Sequence, residues 1–330
     1  MKVLMFSSDP RNSRLQKYAE VLDKLAIIDL SRARGRFSRF LKGYNEAKKI
    51  LKKEKFDLIT AQEIEHSFLA WRLSKKFGVP WQMQIHTDIF SPYYKGESFL
   101  NKVRVGAARF LIPRASCLRV VSERIKNSLT WRLNRQVAVL PIFSEVKNPG
   151  GMDIKEKYPG YDFYILMVGR LAREKNYGLA LEVMREVVKN FNALLVIVGE
   201  GPERAELKSQ INVKLEGFVE NPSGYYRSAD IFLLTSNYEG YGLVVIEALQ
   251  NGLPVIMSDV GVAGEIVKNG ENGVIAPVGD KAKFLEAITR VKNDKEFLAR
   301  LRENAKNTKL PYTSFEDYRE KLINSWRTCA

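Results

Sequence analysis

Two glutamates in residues 237–256, NYEGYGLVVIEALQNGLPVI, sit where charge is disfavoured. Glu247 closes the apolar run 243–246 and is followed by Ala248 and Leu249, while Glu239 lies eight residues earlier among aromatic residues and glycines. A buried carboxylate is costly unless hydrogen bonds or a ligand compensate it. Gly240 and Gly242 would let the backbone approach a ligand closely, and a helix starting near Gly242 or Leu243 would aim free N–H groups at a phosphate. Glu247, one turn into that helix, could then accept from hydroxyls of the same ligand. Taken alone, the pair is equally well read as an exposed helix residue and a loop residue.

Two cations complete the set. In MVGRLAREKN (167–176), Gly169 and Arg170 end an apolar strand and Lys175 follows five residues later. A planar guanidinium fork beside an ammonium point charge suits a diphosphate, the alternative being an ordinary basic surface loop. VGEGPERAEL (198–207) has the look of a dinucleotide-binding loop. Its third glycine position is Arg204, however, and it follows the second strand of its half, so a tight strand-to-helix turn is the better reading. No D-x-D triplet announces a metal on the diphosphate, and two cations with a helix N-terminus could supply that electrostatic work. We therefore expect no metal and no cofactor.

The elements that must position these residues alternate short β-branched runs with amphipathic helices, the pattern of parallel sheets wrapped by helices. Strand candidates in the first half are residues 2–6, 25–29, 57–60, 82–86, 118–121 and 137–140. Those in the second half are 163–169, 194–199, 213–217, 231–236, 254–258 and 273–276, with helices over 177–190 and 203–211. The breakers Pro149, Gly150, Gly151, Pro159 and Gly160 mark 144–162 as a linker. The expectation is an α/β chain of two doubly wound Rossmann-like domains facing a cleft, residues 1–148 and 149–311, with ligands at the carboxyl ends of the strands.

Charge divides the same way. Residues 1–150 hold 29 Lys+Arg against 13 Asp+Glu, a net +16, while 151–330 hold 24 against 25. The basic segments 31–56 and 99–135 interleave cations with apolar residues, which suits an anionic membrane surface, although the apolar residues could equally be core faces of amphipathic helices. No apolar run approaches the ~20 residues that cross a bilayer, and the N-terminal apolar run is too short for a signal peptide. Only Cys117 and Cys329 occur, without metal-type spacing, so a reduced, cytoplasmic compartment is expected, peripheral on the inner face of the plasma membrane if the basic half binds lipid.

The stretches VGRLAREKN, VIVGEGPERAEL, VKLEGFVEN, YYRSADIFLLTSNYEGYGLVVIEALQNGLPVI and GEIVKNGENGVIAPVGD, in this order across residues 165–280, resemble glycosyltransferase family 4, retaining enzymes of the GT-B fold. QIHTD (84–88) and LRVVSERIKNSL (118–129) resemble its first domain more loosely. The resemblance implies a final helix within 312–330 crossing back to the first domain, and a role for each matched residue. Arg170 and Lys175, after Gly169, would neutralise the donor diphosphate. Glu239 would hold hydroxyls of the donor sugar with the backbone of Gly240, Tyr241 and Gly242. Leu243 and Val244 would offer amides to the phosphate, and Glu247 would accept from the ribose. Phe218, Val219 and Asn221 would border the base, and His86 would stand near the transferred sugar. It further implies a nucleotide-sugar donor and transfer to a glycan or lipid-linked acceptor with retention.

Asn221 offers no acidic group to guanine, which favours uridine in the donor. The first loop, SSDPRNS, and the segment PIFSEVKN (141–148) depart from the family pattern, so the acceptor side carries over least. The alternatives are a nucleotide-sugar epimerase of similar fold, which would need no acceptor, and a nucleic-acid-binding protein using the basic half. For the latter the sequence offers no recognition motif.

Overall fold

The computed structural model describes residues 1–9, 13–31, 36–129, 136–144, 150–207 and 212–330. Part of the first loop (10–12), parts of both basic segments (32–35 and 130–135), the linker centre with the expected 148/149 boundary (145–149), and 208–211 lie outside them. The chain forms two compact units, Met1–Pro141 with Tyr312–Ala330, and Ile142–Pro311.

The first unit runs β1 (Lys2–Ser7), α1 (Ser13–Ala19), β2 (Lys24–Asp29), α2 (Arg36–Lys53), β3 (Leu58–Ala61), α3 (Ile64–Phe77) and β4 (Trp81–Ile85). It continues through α4 (Pro92–Glu97), α5 (Phe99–Leu111), β5 (Cys117–Val120), α6 (Glu123–Leu129) and β6 (Val137–Val139). The second unit opens with α7 (Ile154–Lys157), β7 (Phe163–Val168), α8 (Tyr177–Asn190), β8 (Ala193–Val198), β9 (Val213–Gly217) and α9 (Ser223–Ser228). It then follows β10 (Ile231–Leu234), α10 (Leu243–Gln250), β11 (Val255–Ser258), β12 (Gly273–Ala276), α11 (Lys281–Asn293) and α12 (Lys295–Lys306). The last helix, α13 (Phe315–Arg327), belongs to the first unit.

Each unit holds a six-stranded parallel sheet, ordered β2-β1-β3-β4-β5-β6 and β12-β11-β10-β7-β8-β9. Parallel strands are covered on both faces, which is why β7 and β8 are nearly continuous apolar runs with almost every residue buried. Their core partners come from the apolar face of α8, including Leu181, Met184 and Val187, and from Phe284, Ile288 and Val291 of α11. Of the helix expected over 203–211, residues 208–211 lie outside the described ones, and the described part opens with a 3₁₀ turn at Pro202–Ala205. The Glu203 N–H is drawn onto the Leu171 carbonyl at 3.0 Å, which holds the turn against the neighbouring loop.

In the first sheet one face is polar and still buried. Thr60, Gln82 and Cys117 stand in one row across β3, β4 and β5, with Gln84 and Arg119 in the next row on the same face. The cover is α13, started by Ser314, whose hydroxyl accepts from the Asp317 N–H, with Glu316 and Asp317 complementing the helix dipole. The Trp326 indole N–H donates to Gln82 at 3.0 Å, and Arg119 donates to Gln84 at 2.7 Å, to the Tyr318 hydroxyl and to the Leu140 carbonyl. Gln84 in turn donates to Thr60 at 2.7 Å. Tyr18 of α1 stacks on Phe315 and meets Trp326 edge-on. Buried polar groups are tolerable only when partnered in this way.

A disulfide joins Cys117 to Cys329, residues 212 apart in sequence, with Cα atoms 5.5 Å apart. This corrects the reading of two reduced thiols, so the cysteines do not argue for a reducing compartment. The two sulfurs meet because α13 returns to β5, a long-range contact that no local spacing announces. Closing so long a loop restricts the unfolded chain, and such bridges contribute about 2–4 kcal/mol. We predict that Cys329→Ser, or reduction of the native chain, lowers stability by about that amount. Denaturant unfolding with and without reductant measures it; superimposable curves would show that the bridge does not hold the helix.

Candidate active site

In the second sheet the strand order reverses between β7 and β10, so the chain leaves these neighbours toward opposite faces and opens a crevice at their carboxyl ends. The two chemistry-bearing stretches, 169–176 and 235–242, are the loops that follow these strands.

The loop after β7 rests on the turn after β8. The Gly169 N–H donates to Val198 and the Leu171 N–H to Glu200, at 3.0 and 2.9 Å. A Cβ on Gly199 would stand 1.9 Å from the Gly169 carbonyl oxygen, and one on Gly201 would stand 2.3 Å from that of Leu171. The glycines of VGEG thus allow two backbones to touch, and the motif is a packing device.

A lattice of short polar contacts then ties the two loops together. Asn176, in the left-handed conformation at φ 50°, caps α8 by accepting from the Leu179 N–H. Its amide donates to Asn237 at 3.0 Å, the Asn237 N–H donates to the Glu174 carbonyl at 2.8 Å, and the Thr235 hydroxyl bonds the carbonyls of Lys175 and Asn176. The outcome is an ion pair: Lys175 Nζ lies 2.5 Å from Glu239 Oε1, which also accepts from the Ser236 hydroxyl at 2.8 Å. Glu239 Oε2 takes no hydrogen bond among the described residues.

Helix α10 begins as expected. Gly242 is its N-cap at φ 92°, a conformation that glycine adopts without strain. The first helical bond runs from the Val245 N–H to the Gly242 carbonyl at 2.9 Å, so the Leu243 and Val244 N–H groups precede the helical ladder. The Val262 N–H fixes the approach by donating to the Tyr241 carbonyl. One turn on, half-buried Glu247 accepts from the Tyr226 hydroxyl at 2.9 Å. Burial, and then the Glu247 charge beside it, raise the Tyr226 pKa well above the ordinary phenol value, so this hydroxyl stays a donor.

The Arg170 side chain is 70% exposed and donates to Glu174 at 2.7 Å. Phe218 is 77% exposed, and Asn221 Oδ1 accepts from the N–H and hydroxyl of Ser223 at the start of α9. His86 belongs to the first unit, directly after β4. Its Nε2 is buried without a hydrogen-bond partner among the described residues. Burial, reinforced by the Arg119 charge, pushes its pKa down to about 3, so the ring is neutral at physiological pH.

Sequence reasoning missed Ser236, Tyr226, Glu174 and the Asn176–Asn237 pair. Only Asn176 gave a local signal, as a capping residue opening an amphipathic helix.

Comparison with known proteins gives this geometry its context. Residues 153–308 match the family described as glycosyl transferases group 1, and residues 11–142 match the glycosyl transferase 4-like domain. The chain belongs to the group 1 glycosyltransferases. It is 29% identical over 270 residues to the UDP-Gal:alpha-D-GlcNAc-diphosphoundecaprenol alpha-1,3-galactosyltransferase of Escherichia coli, across 75% of this chain and 69% of that one. Sucrose-phosphate synthase from Thermosynechococcus elongatus superposes at a TM-score of 0.81 with 19% identity, covering 99% and 98% of the two chains. Anabaena HepE in complex with UDP and glucose superposes at 0.75 with 18% identity, over 99% and 100%. The two-sheet architecture is that of the GT-B fold, and this glycosyltransferase uses a nucleotide-sugar donor.

Two predictions rest on this geometry. Gly199→Ala must separate two backbones in contact and should cost about 1–3 kcal/mol of stability, as overpacking does; an unchanged thermal midpoint would contradict the packing role. For His86, the folded pKa lies below the unfolded value, so the unfolded chain binds the extra proton between pH about 6.5 and 3. The neutral ring's contribution is complete above that window and is lost as pH falls through it. A His86→Gln chain should accordingly lose less stability than the native chain on acidification across this range; parallel curves would refute the assignment.

Proposed function

We propose that this glycosyltransferase is a retaining, metal-independent enzyme moving a sugar from a UDP-sugar, with GDP-sugar as the competing donor, to a hydroxyl of a glycan or lipid-linked acceptor. The observation that carries the reading is the convergence, at one strand-order reversal, of the Lys175–Glu239 pair and the opening of α10. A diphosphate arriving at that helix start would meet the Leu243 and Val244 amides, with Lys175 exchanging its carboxylate for phosphate oxygens. Glu239, already oriented by Ser236, would turn to the sugar hydroxyls, assisted by the backbone of Gly240, Tyr241 and Gly242. Glu247, held by Tyr226, would receive the ribose, and Arg170 at the loop tip would reach the outer phosphate. Phe218, Val219 and Asn221 would border the base.

In the transfer the bond from the anomeric carbon to the leaving phosphate oxygen breaks and a bond to the acceptor oxygen forms on the same face. The acceptor proton passes to the departing phosphate oxygen. Neutral His86 would contribute a hydrogen bond to the transferred sugar rather than a charge. The uridine preference is supported by the UDP in the names of the Escherichia coli relative and of the HepE complex. The lipid-linked acceptor is supported by the diphosphoundecaprenol in the former.

A thermal-shift screen of UDP-, GDP- and ADP-sugars tests the donor, since binding to the native state raises the midpoint. UDP-sugars should give the largest shift, and equal shifts across bases would remove the preference. With the selected donor, Lys175→Met and Glu239→Gln should each lower kcat/KM by about a hundredfold or more, the scale of a lost transition-state charge contact. Transfer should persist in chelator with the α configuration of an α-linked donor retained. A donor isomerised without acceptor would favour the epimerase instead.

A further inference from the structure

Helix α5 carries two faces. Val105, Ala108 and Leu111 point into the first unit. Phe99, Val103, Gly106 and Phe110 recur within an arc of roughly 60° at 100° per residue on the other face, so they form one stripe along the helix. That stripe is exposed: Phe99 is 81% accessible, Val103 51% and Phe110 40%. It continues onto α3, because the Trp71 ring meets Phe110 edge-on at 5.0 Å and Phe68, itself 44% exposed, packs on Trp71 at 5.5 Å. Single exposed apolar residues are ordinary, but a contiguous aromatic ridge over two helices marks an interaction surface.

The charges beside the ridge say what it meets. From residue 99 to 114 there are four cations, Lys102, Arg104, Arg109 and Arg114, and no carboxylate. Arg104 is engaged with Glu65 of α3 at 2.7 Å, which fixes the two helices side by side. Arg114 borders the aromatics, its guanidinium 3.7 Å from the Phe110 ring centroid, as does Lys75 of α3, 5.7 Å from that of Trp71, while Lys102 and Arg109 are exposed on α5. Apolar side chains flanked by long cationic chains match the boundary between acyl chains and anionic headgroups, where the rings enter and the cations reach the phosphates.

We propose that the α3–α5 face of the first unit docks on an anionic phospholipid bilayer, with Phe99, Val103 and Phe110 entering the interface and Lys102, Arg109 and Arg114 contacting headgroups. The surface involves none of the donor-side residues, so the proposal stands or falls apart from the catalytic reading. No helix among the described residues is long and apolar enough to cross a membrane, and this face offers contact without a span.

The test is sedimentation of the full chain with phosphatidylglycerol–phosphatidylcholine vesicles and with phosphatidylcholine vesicles alone, at low and high salt. Binding should require the anionic lipid and weaken with salt. Phe99→Ser/Val103→Ser and, separately, Lys102→Glu/Arg109→Glu should each lower the partition coefficient by about tenfold or more. Both double variants change exposed positions, and their thermal midpoints verify folding. A Lys283→Glu chain, altered on the second unit, should bind as the native chain does. The proposal is overturned by equal binding to both vesicle types, by undiminished binding of the double variants, or by absence of binding at low salt. Concentration-dependent self-association abolished by Phe99→Ser/Val103→Ser, without vesicle binding, would assign the ridge to a second copy. Capture of a single-stranded oligonucleotide in preference to vesicles would assign it to nucleic acid.

Discussion

The reversal of strand order between β7 and β10 is the constraint on which the candidate site depends. Two hydrogen-bonded parallel strands send their chains to opposite faces, and the space at their carboxyl ends is filled only by what the following loops supply. The loops supply a left-handed asparagine, a threonine hydroxyl shared by two carbonyls and a glycine-lined backbone contact. None of these is chemical equipment for the reaction. Together they remove the freedom of a loop that would otherwise place Lys175 anywhere along a flexible stem.

The charges in that space are matched before any ligand arrives. Lys175 and Glu239 share one short contact, Arg170 leans on Glu174, and Glu247 is held by a tyrosine that does not ionise. An isolated ion in this half-buried setting would carry a desolvation penalty, and pairing offsets it. Under the proposed function the pairing would be exchangeable, since a diphosphate and its sugar hydroxyls would offer the same two partners the same kinds of bond.

Much of this was legible in the sequence because parallel strands buried on both faces tend to be apolar runs, as β7 and β8 are; the twelve described strands each begin within a residue of the sequence-based candidates. The candidate site was legible for a related reason, since glycines, a carboxylate and cations at strand ends contrast with the core around them. The partners of those residues were not. Ser236 and Tyr226 acquire meaning only from the oxygen they face, and the Lys175–Glu239 contact spans 64 residues. The glutamines of WQMQI read as one half of an ordinary alternation, yet they are buried, because their cover arrives with Trp326, 244 residues beyond Gln82. The same return brings Cys329 to Cys117, against the reading of separate thiols.

That return gives the chain an order of assembly. The second unit lies wholly between the two pieces of the first, so on a ribosome it is released intact while its predecessor still lacks a wall. Until α13 emerges, Arg119, Gln82 and Gln84 face water with no indole or phenol to meet them, and Cys117 has no partner to oxidise with. The half of the protein that is made first is therefore finished last, and the bridge between residues 117 and 329 records that its completion has occurred.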